Sequence, residues 1–236
     1  MERDLNQLVE KLQKTFGDRL TAVVLYGSAA VGDRQAKFSD YNVLCVFSQV
    51  TPRELGEVEP IFHWWRGRGN PSPLLLSEHE VRTSTDCFAI EFHDIKERNR
   101  LLAGRDVIGD LVLDDSFHRA QVEHELRAKL LRLRQKAAAV LSDKDLLRRI
   151  LADSLSTFCV LFRHALLLSG IEAKFAKREV IDQVKEAFGV DPEPFLALLD
   201  LREGQRKPRD VDPLPLFARY MEQIQVVVDV VDRLEK

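Results

Sequence analysis

Two short apolar runs set the strongest limit on what the first half of this chain can fold into. Leu20–Tyr26 (LTAVVLY) and Tyr41–Phe47 (YNVLCVF) are rich in Val and lack helical spacing. Runs of this length and composition read as strands buried on both faces. The first ends in Gly27-Ser28, a small-residue segment follows, and the second opens directly after Asp40. Upstream, Leu5, Leu8, Val9, Leu12 and Phe16 recur at helical spacing, with Gly17 as the stop. Thr51-Pro52 opens a helix running toward Trp65, and Gly67, Gly69, Asn70, Pro71 and Pro73 mark a loop. Leu74–Leu76 and Cys87–His93 read as further strands.

Near Ser116 the periodicity becomes helical almost throughout. Leu126, Leu130, Leu133, Ala137 and Val140 form one stripe. A wider stripe, from Leu147 through Leu151, Leu155, Phe158 and Phe162 to Ala165, predicts a heavily buried central helix. Val180, Ile181, Val184 and Phe188 predict a shorter helix closed by Gly189, and the last helix carries Leu216, Phe217, Tyr220, Ile224, Val227, Val228 and Val231. Asp191-Pro192 and Asp212-Pro213 put Asp at an N-cap and Pro at the first helical position. The expected fold class is therefore α+β: a mixed sheet with helices over residues 1–114, then an all-α helical bundle over 115–236.

Charge narrows the function classes. Thirty-five basic against 38 acidic residues give a net charge of −3, which argues against coating nucleic acid through bulk charge. Three cysteines, at 45, 87 and 159, make a poor disulfide framework and suit reduced thiols in a cytoplasm. The charged start lacks a signal peptide's apolar core, and no apolar run approaches the ~20 residues of a membrane span, so no membrane role is expected.

The chemistry concentrates between the two buried runs. Gly27 at a strand's end lets backbone approach a ligand, and Ser28 can cap a following helix whose free N–H groups attract phosphate. On a strand, Asp40 and Asn42 point the same way. Two oxygen ligands beside a phosphate cradle suit Mg²⁺ carried by a nucleotide. Arg34 and Lys37, in the intervening loop, are placed to touch phosphate.

Leu25-Tyr26-Gly27-Ser28 followed by Ser39-Asp40-Tyr41-Asn42 resembles the signature of the polymerase-β-like nucleotidyltransferase superfamily, above all its minimal and antibiotic-type bacterial members. The resemblance covers Leu20–Phe47 well and Cys87–Asp106 loosely. It implies Mg²⁺-dependent transfer of a nucleoside monophosphate from an NTP to a hydroxyl of a small molecule or protein. Gly27, Ser28, Arg34 and Lys37 would bind the nucleotide; Asp40, Asn42 and Glu91 would be the catalytic, metal-ligating set. Glu91 stands third by position on the expected strand Cys87–His93, as a metal ligand or a general base, with Asp86 and Asp94 as its rivals. Where the family has a second carboxylate this chain has Asn42, a neutral oxygen that leaves two adjacent cations poorly balanced, so metal binding is expected to be weak or single-site. Two readings follow: an enzyme weakened at Asn42, or a catalytically degenerate module for nucleotide binding, regulation or protein interaction.

Other features read as structural. Arg119 and His124 fit an Arg-x(4–6)-His spacing, but residues five apart on a helix lie about 140° apart and do not converge. His63, His79, His93 and Cys87 match no closed zinc pattern. The run Arg127, Lys129, Arg132, Arg134, Lys136 reads as a solvated helix face. Of Trp64-Trp65, one should pack. Spare apolar residues on the last helix leave room for a homodimer.

Overall fold

The computed structural model describes residues 2–31 and 41–234. The chain divides into two compact units, Met1–Phe117 and His118–Lys236.

The first unit is a four-stranded sheet with helices on both faces. Its elements run α1 (Glu2–Phe16), β1 (Leu20–Tyr26), β2 (Asn42–Phe47), α2 (Pro52–Arg66), β3 (Leu74–Ser77), α3 (Glu78–Thr83), α4 (Ala89–Glu97) and β4 (Asn99–Gly104). The strand order is β3-β2-β1-β4, with β1 antiparallel to both neighbours and β2 parallel to β3. Alternation sorts the strand residues. Val23, Leu25, Val43, Cys45 and Phe47 pack against Leu5, Leu8, Leu12 and Phe16 of α1 and Val58, Ile61 and Trp65 of α2. Ala22, Val24, Leu44 and Val46 pack on the other face against Val81 of α3 and Phe92 and Ile95 of α4.

The expectation of a strand at Cys87–His93 is corrected: the segment turns into α4. Its apolar set Phe88, Phe92 and Ile95 satisfies an i, i+4, i+7 spacing as well as the alternation that suggested a strand. The strand in this region is β4, twelve residues further on from Cys87, at Asn99.

Two devices hold the sheet in register. Thr51 caps α2: its hydroxyl accepts from the Arg53 amide, Pro52 occupies the first turn, and Glu54 returns to the Thr51 amide at 3.1 Å. Arg19, just before β1, reaches Glu54 at 3.0 Å and Glu57 at 2.5 Å, tying the start of β1 to that cap. At the far edge, Gly104 has φ +84°, and a β-carbon there would stand 2.1 Å from the Thr21 carbonyl oxygen. Only glycine lets β4 close on β1 at this point. Trp65 is fully buried and donates to the Pro71 carbonyl at 2.9 Å, while Trp64 lies under the Arg68 guanidinium.

The second unit is helical: α5 (His118–Ala138), α6 (Lys144–Leu168), α7 (Lys177–Phe188), α8 (Glu193–Arg202) and α9 (Pro213–Arg233). The expected buried stripe of α6 is present, and it meets Phe195 of α8 and Tyr220 of α9 in an aromatic cluster with ring centroids 5.1 to 5.8 Å apart. Tyr220 satisfies its buried hydroxyl on Ser154 at 3.0 Å. By length and hydropathy α6 is long and apolar enough to cross a membrane; 56% of its most apolar window is buried by the rest of the protein. His164 and Arg163 on α6 are buried, His164 Nδ1 lying 2.9 Å from His118 Nε2 and Arg163 stacking on Phe175 at 3.8 Å. The Asp191 cap is corrected by one residue, since α8 begins at Glu193 with Pro192 in the cap position and Asp191 accepts from the Glu193 amide; Asp212 holds the cap position of α9 as expected, but its carboxylate pairs with Lys144 at 3.2 Å. The basic residues Arg127 and Lys129 pair along α5 with Glu123 and Glu125, as a solvated helix face does.

Gly104→Ala should destabilise the protein by roughly 3 kcal/mol or more, since a positive φ and a backbone clash add. Gly17→Ala, at φ +51° with nothing within 4 Å, should cost only about 1 kcal/mol. Urea midpoints of the two variants measure the difference. A second expectation concerns acid. The Thr51 hydroxyl, ahead of Glu54's own amide and Arg19, holds the Glu54 carboxyl below the usual carboxylate range. A lowered pKa adds stability above the unfolded value of about 4.3 and loses it as pH falls through the folded value. Denaturation midpoints should therefore fall between about pH 5 and 3, and Glu54→Gln should flatten that fall.

Candidate functional site

Because β1 is paired on both edges and covered on both faces, its exposed chemistry gathers where it ends. Gly27 leaves the strand with φ +79°, its N–H donates to the Arg98 carbonyl at 2.9 Å, and its own carbonyl accepts from the Ala30 amide at 3.1 Å. The chain then makes a short 3-10 turn over Ser28–Val31. A β-carbon at Gly27 would stand 3.3 Å from Asn42 Nδ2, a tight contact. The Asn42 amide thus lies directly beside the Gly27 turn.

Register supplies the rest. Tyr26 pairs with Asn42 on one side and with Asn99 on the other. Residues directly opposite across antiparallel strands share a face. Asn42 is two residues before Leu44, and Tyr26 packs with the same cluster as Leu44, so the row faces α3 and α4. The Tyr26 phenol is raised above its ordinary range, first by burial and then by the charges of Glu91 and Asp94. Both acids stand on α4, which packs on this face of the sheet through Phe92 and Ile95. Glu91 is exposed and sits on a helix rather than on the expected strand. His93, between them, pairs with Asp115 at 2.6 Å.

Of the residues named from sequence, the structure places Gly27 beside Asn42, while Glu91 stands on α4, where its charge acts on Tyr26. Arg34, Lys37 and Asp40 lie outside the described residues, as does the Ser28 side chain. Tyr26 and Asn99 were missed as neighbours, whereas Asp94 was named as a rival of Glu91. Tyr26 was legible in principle, since it is the last residue of an alternating strand just before the glycine; Asn99 was hidden by the missed strand.

The fit of a two-metal centre can be tested on the donor set. Among the described residues, none of the four strands carries an Asp or Glu. The strand beside β2, β3, offers Leu74, Leu75, Leu76 and Ser77. Asn42 provides a neutral oxygen, and the acids within reach of Tyr26 stand on α4. Two adjacent divalent cations need more anionic oxygen than this, so the described residues do not fit a Mg²⁺ pair.

Replacing Glu91 by Gln removes a negative neighbour of a buried phenol, which favours the phenolate. Alkaline absorbance titration should show one of the three tyrosines ionising at lower pH in Glu91→Gln than in the wild type.

No family model matches the chain, and no curated protein does. Among solved structures, spectinomycin adenyltransferase AAD(9) from Enterococcus faecialis, with ATP and spectinomycin, matches 99% of this chain and 100% of its own at a TM-score of 0.65 and 13% identity. The toxin–antitoxin MntA–HpeT in mutant form and a toxin–antitoxin with AMP-PNP match 43% of this chain and 73% of theirs, at TM-scores of 0.30 and 0.31 and identities of 13% and 15%. Only the first of these scores bears on the fold. With its mixed four-stranded sheet, its Gly27 turn after β1 and its helical second unit, the chain shares the α+β fold of that adenyltransferase.

Proposed function

We propose that the protein binds a nucleoside triphosphate at the Gly27 turn and transfers its nucleoside monophosphate to a hydroxyl of a small molecule or a protein. The observation that carries this reading is the grouping of Gly27, Asn42 and the α4 acids around Tyr26, on a fold shared along its length with an adenyltransferase that holds ATP. Gly27 and Ser28 approach the phosphates, Arg34 and Lys37 add positive charge, and Asn42 hydrogen-bonds the nucleotide. The acceptor oxygen attacks the α-phosphorus, the bond to pyrophosphate breaks, and Glu91 takes the acceptor's proton. One Mg²⁺, carried on the nucleotide's phosphates with Asp40 and Asn42 as its protein ligands, would neutralise phosphate charge. The cytoplasm, with its NTP pool, is the setting for this activity.

A second reading is favoured by Asn42 and by the lack of carboxylates on the strands among the described residues: a degenerate member of the fold that binds nucleotide or a partner protein without catalysis.

Calorimetry with ATP and GTP, with and without Mg²⁺, tests both. The wild type should bind with Mg²⁺, and Asp40→Ala should weaken binding roughly tenfold or more. No binding under any condition sinks the enzymatic reading. Metal binding and transfer gained only in Asn42→Asp would establish the degenerate one.

A further inference from the structure

The connection from α8 to α9 is strapped along one stripe of α6. Arg202 donates to the Ala152 carbonyl at 3.2 Å and to Ser156 Oγ at 2.7 Å, Arg148 Nε donates to the Val211 carbonyl at 2.9 Å, and Lys144 pairs with Asp212 at 3.2 Å. Beside the strap lies an open cavity of about 530 Å³ lined by Asp145, Arg148, Lys207, Pro208 and Arg209.

Three of those five lining residues are cations and one is an acid. Arg148 is already positioned: its side chain is 15% exposed, its Nε donates to the Val211 carbonyl, and its Nη1 is ion-paired with Asp145, which leaves Nη2 for a ligand. The Asp145 carboxylate beside it is 92% exposed, so water screens much of its charge. Among the described residues Lys207 forms no ion pair, and Arg209 forms a loose one with Asp210 at 3.8 Å. Pro208 stiffens the turn that carries both. A chain of net charge −3 therefore concentrates positive charge at one concave place. A fixed guanidinium with a second guanidinium and an ammonium suits phosphate oxygens. The volume falls within the range of small-molecule sites. A polymer would need a stripe of cations along its backbone, whereas these converge on a single cavity.

We propose that this cavity is a binding site for a small phosphorylated anion carrying a phosphate or pyrophosphate group. It lies in the second unit and is independent of the nucleotide reading.

The test is calorimetry of the full chain with inorganic pyrophosphate in the absence of Mg²⁺, with citrate and a short single-stranded oligonucleotide as comparators. Lys207 and Arg209 are exposed, so Lys207→Gln/Arg209→Gln should fold as the wild type does, which a thermal melt checks. The wild type should bind pyrophosphate more tightly than citrate, and the double variant should lose roughly tenfold or more in affinity. Pyrophosphate held at the Gly27 turn would survive the double substitution. Absence of binding, equal affinity in wild type and double variant, equal or tighter binding of citrate, or tighter binding of the oligonucleotide through the same two residues would each overturn the proposal.

Discussion

The first unit depends on the double pairing of β1. That strand exchanges hydrogen bonds with β2 and β4 and is covered by helices on both faces. Its interior positions, Ala22 to Leu25, are essentially without solvent contact. A strand so enclosed exposes nothing along its interior, so ligand chemistry is driven to its end. Open sheets of this kind bind at strand ends for the same reason: there the backbone stops pairing and can turn toward a ligand. The close approach at Gly104 and the Arg19–Glu54–Thr51 connection both serve this strand, one fixing its outer neighbour and the other anchoring its start to α2.

Where the sequence carried a single dominant signal, it was legible. β1 and β2 are short, apolar and β-branched; α1 shows helical spacing with a glycine stop; α2 carries a capping box behind Thr51. α4 was misread because its few apolar residues fit both periods and Phe88 offers no side-chain cap. β4 was missed because it is a half-exposed edge strand that begins Asn99-Arg100 and ends in glycine, so neither alternation nor β-branching marks it. The candidate site inherited both errors. Glu91 was placed on the wrong kind of element, a strand where the chain forms α4. The Asn99–Tyr26–Asn42 row depends on register, which local pattern does not encode.

The electrostatic character of that row differs from what a pair of divalent cations requires. Two amides and a phenol are neutral, and burial with the α4 acids keeps the phenol protonated further into the alkaline range. Among the described residues, negative charge is supplied by a helix beside the sheet rather than by the strands. Hydrogen-bond direction, more than charge, is what such a row can specify, because amides and hydroxyls both donate and accept.

The Gly27 N–H is already committed to the Arg98 carbonyl. The turn is therefore locked onto the strand entry of β4 as part of folding, and its shape does not wait for a ligand. The conformational entropy of ordering that peptide has been lost before any encounter, so an incoming molecule meets a fixed edge and spends none of its interaction energy on shaping it. The same lock sets a limit: this amide is not a donor for a phosphate, and any backbone contact to one must come from the residues that follow it.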